Sequence, residues 1–197
     1  IDNGDDEDWE DTDPPRADRA ELSTISTIFT PSLSVRRRNL AGFVNKTRAY
    51  DPAGAAQMEQ LFASTDIIGL IGDLMKAYGL NPNDLADVYA VYWVNAWQAS
   101  RGDNSDISPA TYQAVSAQAA RGLAESHDFV AASDAQKQEM AEALMIQAAM
   151  IAAHMESAAG DPAQLRAIAK AVTQGAKASG LDLANMELTE QGFVKGG

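Results

Sequence analysis

Five prolines that each follow a small polar residue divide this chain into helical segments. The pairs are Thr30-Pro31, Asp51-Pro52, Asn81-Pro82, Ser108-Pro109 and Asp161-Pro162. A side-chain oxygen at the N-cap accepts a hydrogen bond from an unpaired backbone N–H of the first turn, and proline at the next position has no N–H to leave unpaired. Each pair therefore predicts the start of a helix.

The apolar periodicity between these pairs predicts an all-α fold, a single-domain bundle of about seven helices with extended N- and C-terminal segments. A chain of 197 residues, 46% of them hydrophobic, can bury one substantial core. Ser133 with Gln136 three residues later matches a capping box. We expect helices at about 31–48, from 52, from 66 to 79, 82–100, 109–125, 133–159 and 162–179.

Two of these helices are predicted to be central, because they are apolar on nearly every side. The fourth has this character from Val88 to Trp97. The sixth carries apolar residues around most of its circumference, namely Met140, Leu144, Met145, Ile146, Met150, Ile151 and Met155. Methionine fills irregular gaps, so we interpret this surface as core; a plastic peptide-binding groove is the alternative.

Two glycines, Gly69 and Gly72, lie inside the third predicted helix. Glycine in a helix costs about 1 kcal/mol relative to alanine, so its repeated use indicates a close helix crossing, or flexibility.

Most of the negative charge lies at the N-terminus. Residues 1–21 carry seven Asp and three Glu against two Arg, a net charge of −8 out of −13 for the chain. Such a segment is typical of a solvated, disordered leader, although Trp9 among the carboxylates suggests a docking segment as the alternative. Residues 22–30 are β-branched and half apolar, which fits a short strand or, as we favour, an extended strap across the bundle. Residues 31–197 would then form the helical domain, with a C-terminal tail packed back on it.

Composition excludes several classes of protein. No cysteine is present, which removes disulfides, thiolate catalysis and Cys-based zinc sites. No apolar segment reaches the roughly 18–20 residues of a transmembrane helix, and the net charge of −13 disfavours nucleic-acid binding. The sequence has no glycine-rich phosphate loop and no Glu-x-x-His pair of a di-iron bundle, so we expect no cofactor and no metal.

Segregated charge favours a non-enzymatic interaction or accessory protein that binds a protein partner or itself. The first helix is basic, and the candidate partner-binding residues are Trp9, Arg36, Arg37, Arg38, Lys46 and Arg48.

The fourth helix holds the candidate residues for a ligand cleft: Asp87, Tyr89, Tyr92, Trp93, Asn95 and Trp97. We interpret the aromatic residues as core, with Asn95 hydrogen-bonded to a neighbouring helix. The alternative is a cleft in which the rings stack on a sugar or peptide.

Two further functions remain open. Glu139 and Glu142 lie three residues apart on one helix face, and paired carboxylates serve in glycoside cleavage, so a hydrolase or lyase acting on an envelope polymer is one alternative. A solvated charged face is the simpler interpretation of these glutamates. His127 and His154 are the chain's two imidazole bases, in a loop and inside the sixth helix respectively. A carrier with a dry apolar cavity between the two central helices is the other alternative.

Five stretches resemble an uncharacterised family of exported bacterial all-helical proteins. They are RRNLAGFVNKTR (37–48), DPAGAA (51–56), ADVYAVYWVNAW (86–97), GDPAQLR (160–166) and LTEQGFV (188–194). The similarity covers about residues 31–194 and omits the acidic leader. It implies export to the periplasm or the exterior after removal of a signal peptide, which agrees with a chain that starts at Ile1; removal of upstream residues by design of the expressed fragment would also explain that start. It implies no activity and no catalytic residue.

Overall fold

The computed structural model describes residues 26–178 and 180–196. The acidic leader expected at residues 1–21, its Trp9, and the first part of the expected strap lie outside the described residues.

The described residues form eight α-helices and a small hairpin, which confirms the all-α prediction. The helices are α1 (Leu33–Arg48), α2 (Pro52–Ser64), α3 (Ile67–Ala77), α4 (Leu85–Arg101), α5 (Pro109–Ala124), α6 (His127–Val130), α7 (Asp134–Ser157) and α8 (Pro162–Ala178). A 3-10 turn at Leu183–Asn185 leads into β1 (Met186–Thr189) and β2 (Gly192–Lys195).

The short helix α6 forms where the sequence predicted a loop around His127. Ser126 caps it by accepting a hydrogen bond from the backbone N–H of Phe129, whose side chain is buried. The loop prediction is therefore wrong at this point, and the buried phenylalanine explains why one helical turn is retained.

Four of the predicted caps are present. The Asp51 carboxylate accepts from the backbone N–H of Gly54 at 2.9 Å, and the Ser108 hydroxyl accepts from that of Thr111 at 3.2 Å. Asp161 caps α8 in the same way, and Ser133 with Gln136 forms the complete capping box before α7. These caps fix the starts of α2, α5, α7 and α8 as the sequence predicts.

The other two proline pairs do not begin helices. The Asn81 side chain accepts from the backbone N–H of Asn83 at 3.0 Å, so Pro82 lies in a turn. The helix that follows begins at Leu85, with Asp84 as its cap. Thr30-Pro31 is likewise followed by α1 only from Leu33. The prediction at Asn81 is wrong because asparagine before proline also suits a turn. The prediction at Thr30 is wrong because Thr30 belongs to the extended strap, with its N–H donated to Asp134, and Ser32 is the N-cap.

The two predicted central helices, now α4 and α7, do form the centre of the bundle. They pack against each other along their lengths, and α4 also packs on α5 and α8. Leu85, Val88 and Val94 of α4 are fully buried, as is Met145 of α7. The methionines of α7 are not all buried, because Met140 is 40% exposed.

The described part of the strap, residues 26–30, runs across the first turns of the central helices. The Thr27 carbonyl accepts from the backbone N–H of Leu85 at 3.0 Å, and Phe29 N–H donates to the Asn83 carbonyl at 3.0 Å. The Phe29 side chain is buried. On the other side, Thr30 N–H donates to the Asp134 carboxylate at 3.0 Å.

The glycines of α3 do not mark a helix crossing, so that prediction is wrong. A Cβ at Gly72 would lie 3.2 Å from Cβ of Pro82, in the turn before α4. Gly69 instead faces its own cap, since its N–H donates to the Asp66 carboxylate. The close approach is therefore between helix and turn.

The C-terminal tail is extended, but its two strands pair with each other in antiparallel register and pack on α5. The Gln118 amide donates to the Phe193 carbonyl at 2.7 Å and accepts from the Phe193 N–H at 2.8 Å. Trp97 of α4 donates from Nε1 to the Met186 carbonyl at 2.9 Å, and the Arg101 guanidinium lies 4.4 Å from the Trp97 ring centroid. The Gln118 side chain thus makes the two backbone hydrogen bonds that a neighbouring strand would make on this edge of β2.

Candidate functional site

Three of the predicted cleft residues line one cleft. Tyr89, Tyr92 and Trp93 share a face of α4 because they are three and four residues apart. The cleft has a volume of about 470 Å³. Its other walls come from α5, α7 and the residues after α8, and include Ala119, Gly122, Leu123, Leu144, Gln147 and Leu181. We call this space the aromatic cleft.

The rings of the aromatic cleft leave several polar atoms available. Tyr89 and Trp93 have ring centroids 5.4 Å apart at an interplanar angle of 57°, and the Tyr89 hydroxyl donates to Sδ of Met140 at 3.3 Å. The Tyr92 hydroxyl and Trp93 Nε1 have no hydrogen-bond partner among the described residues. Burial raises the pKa of both tyrosines, so both hydroxyls keep their protons at neutral pH.

The other three predicted residues lie outside the aromatic cleft. Trp97 packs under the hairpin, with its ring centroid 6.4 Å from that of Phe193. Asn95 donates from Nδ2 to the Val91 carbonyl at 2.8 Å. The predicted bond from Asn95 to a neighbouring helix is therefore wrong, because the carbonyl four residues earlier in its own helix is within reach.

Asp87 joins α4 to α5 and to the turn before α4. Its Oδ1 accepts from the Ser116 hydroxyl at 2.5 Å, and its Oδ2 accepts from the Asn81 N–H at 2.7 Å. Burial raises the pKa of Asp87, and these two hydrogen bonds to the carboxylate oppose that shift in part. Both carboxylate oxygens of Asp87 accept hydrogen bonds from the protein itself, so we interpret this side chain as structural.

A second concave surface, the α3 groove, opens between α3, α4, α5 and α7. Its rim includes Leu74 of α3, which is 66% exposed, and Tyr78, the C-cap residue of α3, which is 38% exposed. Leu70, one helical turn before Leu74, is 53% exposed. The cleft behind Leu74 has a volume of about 170 Å³, and its α7 wall consists of Ala148, Ala149 and Ala152. Tyr78 packs edge-on against Tyr112, whose pKa burial raises to about 12.

A model of the DUF6683 family, described as a family of unknown function, matches residues 3–195. The chain belongs to this family. The match includes most of the acidic segment, so the expectation that the family similarity omits that segment is wrong. Comparison with curated proteins and with solved structures gives no match.

The basic side chains of α1 in this DUF6683 protein fall into two groups. Arg36 and Arg48 form intramolecular ion pairs, Arg36 with the buried Glu142 at 2.9 Å and Arg48 with Glu59 at 2.8 Å on the surface. The remaining candidates, Arg37, Arg38 and Lys46, are exposed and form no ion pair with any described residue. The structure therefore presents three free cations on α1, fewer than the sequence suggested.

The two glutamates proposed for catalysis occupy different environments. Glu139 is exposed, whereas Glu142 is 2% exposed, so the interpretation of a solvated face is wrong for Glu142. Glu142 accepts hydrogen bonds from Arg36, from Gln138 and, at 2.7 Å, from Asn39. Sequence reasoning missed this cluster, since nothing local marks Arg36 as the partner of a residue 106 positions away.

The described residues contain no candidate metal site and no candidate membrane-spanning helix. Residues 26–178 and 180–196 contain no group of three His, Asp or Glu side chains placed to hold a metal ion. His127 and His154 are both exposed. In the same ranges, no helix combines the length and apolarity that crossing a membrane requires.

Proposed function

We propose that this protein is a non-enzymatic binding protein that holds an apolar helical segment of a protein partner in the α3 groove. The observation that carries the proposal is the exposed apolar stripe formed by Leu70 and Leu74 of α3 and by Tyr78 at its C-cap, each four residues after the one before. Large apolar side chains exposed together mark interaction sites more often than single exposed residues do.

The shape of the α3 groove favours a helix as the occupant. Its floor is alanine, which lets a partner backbone approach closely, and its rim is leucine and tyrosine. An amphipathic helix inserts apolar side chains spaced three and four residues apart into such grooves. The charged neighbours Asp73 and Lys76 pair with each other at 2.9 Å, so the rim carries little net charge. We therefore expect binding that depends weakly on salt.

The experiment places a photo-crosslinking amino acid at position 74 and identifies the captured partner by mass spectrometry. The partner is then purified, and its affinity is measured for the wild type and for Leu74→Glu. A charge on the rim must be desolvated on binding, so Leu74→Glu should weaken affinity at least tenfold.

The matched control is Leu33→Glu, because Leu33 is 71% exposed on α1, outside the groove. It should bind as the wild type does. Equal affinity of Leu74→Glu and Leu33→Glu for the partner would refute the groove as its binding site.

A second contact through α1 belongs to the same proposal. Arg37, Arg38 and Lys46 are free to meet an acidic surface, including the acidic leader of another chain. Such exposed pairs weaken as salt shortens the Debye length to about 8 Å at physiological ionic strength. If the double variant Arg37→Glu/Arg38→Glu binds the partner more weakly than the wild type at low salt but not at high salt, the result supports this contact. If the double variant binds as the wild type does at low salt, the contact does not exist.

The two alternative functions have less support. Hydrolysis by Glu139 and Glu142 would need a free carboxylate pair, but Glu142 accepts three hydrogen bonds from its neighbours. An apolar carrier would need a pocket in the usual range of roughly 300–1,000 Å³. The α3 groove, at about 170 Å³, is smaller than that range. The aromatic cleft reaches about 470 Å³, but its walls include polar side chains such as Gln147 and Ser126, whereas a carrier for an apolar ligand needs a dry apolar cavity.

Export from a bacterial cell is also a proposal, supported by the resemblance of five sequence stretches to exported proteins. Fractionation of cells that express the full gene would test it. Recovery of the protein in the cytoplasmic fraction alone would contradict it.

A further inference from the structure

The aromatic cleft is independent of the α3 groove and differs from it in chemistry. At about 470 Å³ it falls in the range of roughly 300–1,000 Å³ that small-molecule sites occupy. Its walls mix aromatic faces with unpaired polar atoms. We propose that the aromatic cleft binds a neutral saccharide of one or two sugar rings.

The aromatic faces supply the stacking surface. Tyr89 and Trp93 form adjacent walls, with centroids 5.4 Å apart and planes tilted by 57°. An aromatic ring has a negative face, which attracts the positively polarised C–H groups on the apolar face of a sugar ring. Two tilted rings hold that face at an angle and thereby orient the sugar.

The polar atoms suit hydroxyl groups. Tyr92, Trp93 and Gln147 line the cleft, and the Tyr92 hydroxyl, Trp93 Nε1 and the Gln147 amide have no hydrogen-bond partner among the described residues. None of these atoms is buried, so each is accessible to solvent or to a ligand. Together they offer donors and acceptors, and a sugar hydroxyl uses both. Purely apolar ligands would leave these groups unsatisfied, which costs binding free energy.

The absence of charge in the walls selects a neutral ligand. No Asp, Glu, Lys or Arg of the described residues lines the aromatic cleft. A uronic acid or an amino sugar would bring an ionised group into a site with no counter-charge, which is unfavourable. The net charge of −13 adds a repulsion against acidic sugars.

Gly122 keeps the entrance open. A Cβ built at this position meets no atom within 4 Å, although the residue lies inside α5. Because Gly122 lines the cleft, a larger side chain there would take up space that the ligand needs, and its Cβ would meet no atom of the fold.

The experiment titrates the full chain with the neutral disaccharides cellobiose, N,N′-diacetylchitobiose and maltose, and with glucuronate and glucosamine as charged probes, by saturation-transfer NMR and calorimetry. We expect binding of at least one neutral disaccharide and none of the charged probes. Tyr92→Phe, which removes one hydroxyl, should weaken binding about threefold to tenfold, the range for one neutral hydrogen bond.

Gly122→Leu tests the site without removing any ligand contact. It should abolish binding while the melting temperature stays at or above that of the wild type, because leucine is a better helix former than glycine. Gly42→Leu on α1, where a Cβ also meets nothing within 4 Å, is the matched control and should bind normally.

Three results would overturn the proposal: no binding of any neutral disaccharide at millimolar concentration, stronger binding of a charged probe, or unchanged binding in Gly122→Leu. Tyr50→Phe, at a tyrosine that is 79% exposed outside the cleft, separates a specific effect of Tyr92→Phe from a general one.

Discussion

Arg36 of α1 donates from Nε to Oε1 of Glu142 in α7 at 2.9 Å, which joins the first helix of the bundle to one of its two central helices. The same carboxylate accepts from Gln138, and Gln138 also bonds both the N–H and the carbonyl of Ser32. The cluster therefore fixes both the packing of α1 and the residue at which it begins.

Glu142→Ala should lower the free energy of unfolding by about 3 kcal/mol, because Arg36, Asn39 and Gln138 would lose their acceptor in a buried position. Urea denaturation measures this change. Glu139→Ala, on the exposed face of the same helix, should change stability by less than about 0.5 kcal/mol. Equal losses in the two variants would show that the cluster contributes nothing specific.

Asp87 should make the fold less stable as pH rises through its pKa. Burial raises the pKa of Asp87 above its ordinary value of 3.8, so the folded state favours the protonated form. This contribution is fully present below the unfolded pKa and is lost as pH rises through the raised folded pKa. Unfolding free energies from pH 3 to 7 should show this fall in the wild type, and Asp87→Asn should lack it.

Ser116→Ala provides the control for Asp87. Its hydroxyl donates to the carboxylate and so lowers the pKa. Removing it should move the titration of the Asp87 side-chain carboxyl carbon, followed by NMR, to higher pH. A shift to lower pH would contradict the assigned cause.

The hairpin should loosen in Gln118→Ala. Two hydrogen bonds to the Phe193 backbone would be lost, which is worth about 1–3 kcal/mol for two neutral bonds. Hydrogen exchange of residues 186–195 should accelerate while that of α7 stays slow. Gln113→Ala, at an exposed position on the same helix, should leave the exchange unchanged, and faster exchange in both variants would refute a specific anchor.

Gly72 and Gly42 should respond oppositely to alanine. At Gly72 the new Cβ would lie 3.2 Å from Pro82, so we expect a loss of about 1–3 kcal/mol from overpacking. At Gly42 nothing lies within 4 Å, so alanine should stabilise α1 by about 0.5–1 kcal/mol. Thermal denaturation of Gly72→Ala and Gly42→Ala measures both changes in stability. If both variants are stabilised, or both are destabilised, the prediction is wrong.

Local signals predicted the elements that local chemistry determines. Asp51, Ser108, Ser133 and Asp161 cap their helices through bonds to residues two or three positions later, which the sequence displays. The prediction at Asn81 is wrong because its side chain makes the same kind of bond to a backbone N–H, but within a turn and not at a helix start. The true cap, Asp84, is three residues further on.

The functional surfaces were predictable only in part. Tyr89, Tyr92 and Trp93 share a face by helix periodicity alone, so their meeting in one cleft follows from spacing. The walls that Gly122 and Gln147 add come from other helices and depend on packing. For the same reason, the sequence did not reveal that Leu74 stays exposed while Met75, its neighbour, is buried.

The strap also determines how the domain would bear a mechanical load. Thr27 and Phe29 bond the segment around Leu85, while Ser26 and Thr30 bond Lys137 and Asp134 of α7. Tension applied through residues 1–25 would reach the beginnings of α4 and α7 together. Several hydrogen bonds must then break in the same event. A strap that is bonded to both helices therefore resists pulling more than a strap bonded to a single helix would.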